Sequence, residues 1–346
     1  MLRRDVDVLL DRKRHPFHEH GEVEYFLAVR GRRCVGRIAA IENHAHNAFH
    51  GERVGFFGFL DAESDPEVFR ALLSATEGWA SARGLSAIRG PASFSTNEEC
   101  GLLVKGFETP PSIMTPWTPA SWVPLVEKAG YRKAMDLLSY WVTEDSYSER
   151  MHRIAEKMIE KLEKQHGKVV CRPLRMERFE EELDVFRQVY NAAWEKNWGF
   201  VPLTPAEITF MAKELKMVIV PELVRFMEID GVPVGVAFSL PDYNQILRYL
   251  RGSLSVSGVA MALLMKSRLK SIRFIALGVA EGFRNRGIET ILVADAVKSC
   301  REKGYCAADM GWILETNQLM NRTLQAIGGT VYKVHRMYEK SLLPGS

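Results

Sequence analysis

One order of elements runs twice along this chain: two strands joined by a short turn, a third strand, a helix, and a turn marked by glycine. In the first pass Tyr25–Val29 and Cys34–Ile41 flank the turn at Arg30–Arg33, Val54–Leu60 forms the third apolar run, and a helix over Pro66–Arg83 ends at Gly84. In the second, Leu223–Ile229 and Val232–Phe238 flank Asp230 and Gly231, followed by Ile272–Val279, a helix over Gly287–Lys303, and Gly304. Asp-Gly suits a two-residue hairpin because both positions tolerate positive φ. The parallel extends to residues: Ala82–Gly90 aligns loosely with Glu302–Gly311, and Lys128–Lys133 with Ala326–Val331, each leading into a last apolar and aromatic strand. Two matches in the same order predict a duplicated unit, and 346 residues suit two domains at about 150 each.

The offsets are unequal. Gly84 and Gly304 stand 220 residues apart but Gly130 and Gly328 only 198, so the first half carries about 22 extra residues, placed within Asn97–Ser121. Pro110, Pro111, Pro116 and Pro119 oppose regular structure there and predict an ordered surface loop, either sealing an interdomain contact or closing over a substrate. Met151, Ile154, Met158, Ile159 and Leu162 recur at helical spacing, so the halves are joined by a packed helix over 146–166. The boundaries are therefore 1–145, the connecting helix, and 167–346. Helices are expected over Phe179–Trp194 and Pro205–Lys216, the latter opened by the capping box Thr204 to Glu207.

Composition removes several classes. With 47% hydrophobic and 26% charged residues the chain is globular, and a formal charge of +3 supplies no field that demands a polyanion. No nucleic-acid motif appears. Five cysteines without a CxxC pair oppose a disulfide framework or a cysteine zinc site and point to a reducing cytoplasm. Gly252–Met265, the longest uncharged stretch, is shorter than the about 20 residues a membrane helix needs and reads as a buried helix or loop, so no membrane partner is expected. His44, His46 and His50 crowd together but lack an evident fourth ligand, and they read as polar positions of a strand or loop, with no metal expected. Ser93 and Ser95 lie outside a nucleophile elbow, and Gly282–Gly287 has neither Rossmann nor phosphate-loop spacing.

What remains is Phe274–Glu289, a strand running through a turn into a helix. Such a junction aims unsatisfied N–H groups and the positive end of the helix dipole at one place, which suits a phosphate. Within it, Arg284, Gly287 and Glu289 resemble the acyl-coenzyme A pyrophosphate loop of the GNAT acyltransferase superfamily, in which Arg or Gln is followed three residues later by Gly and two further on by Gly or Ala. Glu289 departs from the small residue, so its carboxylate must turn outward or pair with Arg286. Asn317, eleven residues before Gly328, also matches the superfamily, whereas the Tyr expected seven residues after Asn317 is Leu324.

Over Phe56–Gly106, Trp194–Leu203 and Phe274–Lys340 the chain resembles bacterial tandem-GNAT proteins. The resemblance implies a mixed α/β fold of two tandem GNAT-like acyl-CoA N-acyltransferase domains, each a central sheet flanked by helices, with the acyl-CoA site in the second half. The place before the first-half helix is acidic, Leu60–Pro66, and implies no second coenzyme A. The cofactor-binding residues so implied are Leu277, Val279, Arg284, Asn285, Arg286, Gly287 and Ile288. Trp194, Asn197 and Trp198 border the acceptor groove or anchor a helix end, and Asn97 joins them as a substrate-binding candidate. Asn317, Glu315 and Tyr332 are catalytic candidates, with Glu195 a further base and Tyr338 a further acid. The expected function is transfer of an acyl group from acetyl-CoA or another acyl-CoA to a small-molecule or peptide amine. The alternative is a noncatalytic acyl-CoA binding or structural protein. The oligomeric state is left open.

Overall fold

The computed structural model describes residues 3–146, 149–250 and 264–343. Gly252–Met265, apart from its last two residues, lies outside them. The strands are β1 Gly21–Arg30, β2 Arg33–Asn43, β3 Val54–Ala62, β4 Ala87–Gly90, β5 Leu102–Lys105, β6 Arg132–Thr143, β7 Val169–Pro173, β8 Val224–Ile229, β9 Val232–Pro241, β10 Ser271–Val279, β11 Ala307–Leu314 and β12 Thr330–Ser341. The helices are α1 Arg3–Leu10, α2 His44–His50, α3 Pro66–Ala82, α4 Trp122–Lys128, α5 Glu149–His166, α6 Phe179–Trp194, α7 Pro205–Leu215, α8 Asn244–Leu250, α9 Ile288–Glu302 and α10 Gln318–Ala326.

All these strands join one sheet in the order β1-β2-β3-β4-β12-β6-β11-β10-β9-β8-β7, with β5 added beside β12. Each half therefore gives its last strand to the other: β6 of the first half pairs β11, and β12 of the second pairs β4. The two exchanged strands pair with each other at the centre, where Arg336 stands directly opposite Asp136. Arg336 donates Nε to Asp136 Oδ1 at 2.7 Å and Nη2 to Oδ2 at 3.0 Å. Burial alone would push the Asp136 carboxyl up, but Arg336 and then Lys133 outweigh it and hold the group below its usual range. Arg336→Met should lower stability at neutral pH by about 2 kcal/mol, the scale of hydrogen bonds to a charged group. Because the folded value is depressed, this contribution is full above the unfolded carboxylate value of about 3.9 and is lost as pH falls through the folded one. Denaturant unfolding of both proteins at neutral and acidic pH checks it: the gap should close in acid.

Helices cover both faces. On one, α3 begins with Asp65 as N-cap and Pro66 in its first turn, and buries Val68, Phe69, Leu72, Leu73 and Ala80 against the first-half strands. The same face of the second half carries α9 and the connecting α5, whose Ala155 and Leu162 join Ile288, Ile291 and Leu292 in one core. On the opposite face α6 and α7 pack over β8 and β9. The α7 start has the expected capping box, with Thr204 Oγ1 accepting from Glu207 N–H and Glu207 Oε2 accepting from Thr204 N–H.

Two expectations are corrected. His44–His50 is a helix capped by Asn43, and its histidines serve packing: His46 is buried, pushed down to about 4 by that burial, and His50 Nε2 lies 2.8 Å from the Phe200 carbonyl oxygen. The inserted segment is not wholly irregular, since β5 forms within it where β12 offers a free edge. The rest of the insertion is strapped to the seam: Ile113 N–H donates to Asp242 at 2.9 Å, Arg273 donates to the Ile113 carbonyl at 2.6 Å, and Asn244 donates to that of Pro111 at 3.0 Å.

Candidate active site

The parallel strands β10 and β11 pair only from Ser271 with Ala307 to Phe274 with Met310, then separate. A bulge on β10 between Phe274 and Ala276 and a register shift on β11 between Met310 and Ile313 mark the point of divergence. Ala280 N–H donates to Val234 across β9. Strand alternation then aims the main-chain groups of Val279 and Leu277 the other way, toward the opening between β10 and β11. A cavity occupies the divergence, lined by Leu277, Gly311, Asn317 and Met320 and by Trp194 and Asn197 from the end of α6.

Beyond the end of β10 the turn over 280–287 leads into the N-terminus of α9. Its ladder begins with Ile291 N–H donating to Gly287 at 3.1 Å, so the amides from Gly287 to Thr290 have no acceptor within the helix. Gly287 is the N-cap with φ 82° and carries no side-chain cap. The matching helix of the first half differs on each count. Asp65 fills the N-terminus of α3, accepting from Glu67 and Val68 N–H and pairing with Arg30 at 2.9 Å. There β3 and β4 also part after Phe56 and Arg89, but Ala92 N–H donates to Phe57 at 2.8 Å and Phe94 is buried in the gap's core cluster. A helix start without a side-chain cap and an open cavity between the diverging strands are therefore features of the second half.

The other candidates are placed as follows. Arg284 donates Nη2 to the carbonyls of Ala192 and Ala193 at 2.8 and 2.9 Å, so its charge closes the C-terminus of α6 and builds the loop. Arg286 reaches His166 of α5 and lies over Phe283, not over Glu289, which is half-buried. Asn285, exposed, adopts φ 61°, and Ile288 is buried in the core under α9. Asn317 is the N-cap of α10, its Oδ1 accepting from Met320 N–H at 3.1 Å. Glu315 is taken up by β6, accepting from Lys133 Nζ at 2.6 Å and Asp136 N–H at 3.1 Å. Tyr332 sits 3.3 Å from Ser112 Oγ and packs on Trp141, and Tyr338 donates to Glu127 at 3.0 Å; neither lines the cavities of the second half, nor does Glu195. Leu324, where the superfamily has Tyr, is buried in the core.

A second, larger cavity continues from the divergence on the α6 side of the sheet. Ile275, Ala276 and Trp312 line its inner end, and Leu183, Phe186, Tyr190 and Trp194 supply one face of α6 at helical spacing. Met211, Ala212 and Leu215 of α7 face them, above Val224, Phe226 and Phe238. Trp194, Asn197 and Trp198 all line it, as do Asn97, Glu98 and Met114 of the inserted segment. Asn97 is fully engaged, donating to the Val201 carbonyl at 2.9 Å and accepting from Tyr190 at 2.8 Å, while Thr96 Oγ1 donates to Gly199 at 2.6 Å. The insertion thus pins the loop after α6 and walls the cavity as well. Sequence reasoning missed this cavity, because the α6 face that lines it has the same spacing as a face that fills a core.

No family model matches the chain. It is 40% identical over 337 residues to the bacterial ceramide synthase of Caulobacter vibrioides, spanning 95% of this chain and 86% of that one. It is 34% identical over 337 residues to protein YghO of Escherichia coli, spanning 95% and 85%. The chain belongs to their family. Among solved structures it resembles a tandem GNAT protein from the clavulanic acid biosynthesis pathway, with TM-score 0.52 and 11% identity over 96% of this chain and 86% of that one. It also resembles a GCN5-related N-acetyltransferase from Sphaerobacter thermophilus, with TM-score 0.51 and 13% identity over 93% and 82%. The chain therefore has the tandem GNAT fold. No helix among its described residues is long and apolar enough to cross a membrane, and no group of three or more His, Cys, Asp or Glu among them is set to hold a metal ion.

Proposed function

We propose that the protein transfers an acyl group from acyl-CoA to the nitrogen of a long-chain amine, forming an amide of the ceramide type. The observation that carries this is the continuity of a mainly apolar cavity with the β10–β11 cleft through Trp194, Asn197, Ile275 and Ala276, which line both. A short polar amine gains nothing from a wall of Phe186, Phe226, Phe238 and Met211, whereas each buried methylene gains about 0.8 kcal/mol. The name of the Caulobacter relative supports the same acceptor class.

In this reading the pyrophosphate lies on the free amides at Gly287 and Ile288, with Arg284 and Asn285 shaping the turn. Leu277 and Val279 offer main-chain groups to the acyl-CoA arm, and the Val279 N–H polarises the thioester carbonyl. The amine's hydrocarbon chain enters between α6 and α7, which presents its nitrogen to the carbonyl past Trp194 and Asn197. Holding both reactants at that junction supplies the orientation part of the rate. Asn317 borders the cleft as the cap of α10, and Leu324 leaves the departing thiolate to take its proton from water. The test is a chain-length series of 2-amino alcohols with one acyl-CoA, read as thiol release. The rate constant kcat/KM should climb about fourfold per methylene until the cavity is filled. A flat series would remove the long-chain acceptor from the reading.

A further inference from the structure

Glu98, in the inserted segment of the first half, is a carboxylate for which the reading above has no use. It lines the apolar cavity with 22% of its side chain accessible, on the same cavity as Ala276 and Trp312 at the cleft. Its Oε1 lies 3.1 Å from Nε2 of His15. His15 is buried and doubly held: Nδ1 accepts from Phe17 N–H at 3.3 Å, and the ring lies against Phe94 and Phe210 with centroids 4.6 and 4.7 Å away. An imidazole that accepts at Nδ1 carries its proton on Nε2, so it presents a donor to Glu98. His15 is the ion-pair partner of Glu98 among the described residues, and that contact is made at Oε1. The backbone beside it is fixed by the Thr96 and Asn97 bonds to Gly199 and Val201.

We propose that Glu98 is the general base for the acceptor amine and that His15 is its positioning residue; this rests on the N-acyltransfer reading above. The amine nitrogen bonds to the thioester carbonyl carbon, one N–H proton passes to Glu98, and the C–S bond breaks as the carbonyl re-forms. The thiolate takes a proton from water, and Glu98 returns its own to the hydroxide so formed, giving amide and free thiol. Burial pushes the Glu98 carboxyl above its usual range, with His15 opposing and Glu207 adding to the rise, which moves it toward a useful proton acceptor. The active site is then shared: the first half supplies the base, the second the acyl-CoA loop.

The experiment compares wild type, Glu98→Gln and His15→Gln, using palmitoyl-CoA and an 18-carbon 2-amino alcohol. Glu98→Gln should lower kcat by about 100-fold or more, with both KM values and acyl-CoA affinity within about threefold, and His15→Gln should lower kcat by about tenfold. A Glu98→Gln protein with kcat near wild type, or one that loses only KM, overturns the assignment. If Glu98→Gln does not fold, His15→Gln decides alone, and unchanged kcat there overturns it. A wild type that releases no thiol with any long-chain amine overturns the acyltransfer reading itself, and the base with it.

Discussion

A protein carrying Gly287→Val should lose acyl-CoA binding by about 100-fold or more while keeping its fold. Gly287 adopts φ 82°, which costs a residue with a Cβ about 1–2 kcal/mol, and a β-branched one more. A Cβ there would also lie 2.5 Å from Met158 Sδ on the connecting helix, so the Met158 side chain must move aside as well. Relief of the backbone strain at this φ moves the amides of Gly287 and Ile288 away from the proposed phosphate position. Hydrogen bonds to a charged group contribute about 1.5–3 kcal/mol each, and losing two gives the stated factor at about 1.4 kcal/mol per tenfold. Calorimetric titration with palmitoyl-CoA reads it directly, alongside a melting curve to show that the strands and their exchange survive. Affinity within threefold of wild type would place the phosphates elsewhere.

The second large effect concerns chain length. Ala212 is buried and lines the cavity from α7, facing the aromatic wall of α6. Ala212→Trp fills the space from inside without touching the cleft. Excluding about four methylenes costs about 3 kcal/mol, a factor of roughly 200 in kcat/KM for an 18-carbon amino alcohol. A 6-carbon acceptor should be used about as well as by wild type. Overpacking costs about 1–3 kcal/mol of stability, less where the new ring enters open space. Should the variant instead change its preference among acyl-CoA chain lengths and leave amine preference alone, the cavity holds the acyl chain and the acceptor lies elsewhere.

Much of this architecture is legible locally. The hairpin at Asp230 and Gly231, the bounds of α6, the capping box of α7 and the strand–turn–helix of β10 and α9 all follow from short-range preferences that the tertiary structure does not oppose. The exchange of β6 and β12 does not follow, because periodicity tells where a strand is and not which strand it meets. β5 is four residues in a proline-rich run and exists because β12 lies beside it. The helix at His44–His50 is one of the shortest kind, fixed by the Asn43 cap and by Glu52 and Phe200 as partners for its histidines, none of which a strand-like reading of polar residues anticipates. The cavity is hidden for a related reason: the residues of α6 show an apolar face, and only the packing of α7 decides whether that face is filled or left open. Glu98 carries no local signal of its own, and it reaches the cavity because Thr96 and Asn97 anchor its segment against the loop after α6.

The duplication has a physical use in this account. The first half buries Phe94 where its strands part and caps α3 with Asp65, and it gives the cavity of the other half a strap and a wall. The most direct test of the central claim is mass spectrometry of the product after wild-type protein is incubated with palmitoyl-CoA and an 18-carbon 2-amino alcohol, with thiol release followed in parallel. The expected result is an N-palmitoyl amide formed one-for-one with free coenzyme A, and no thiol release above background without the amine. Saturable acyl-CoA binding with no amide from any long-chain amine, or thiol release that ignores the amine, would contradict it.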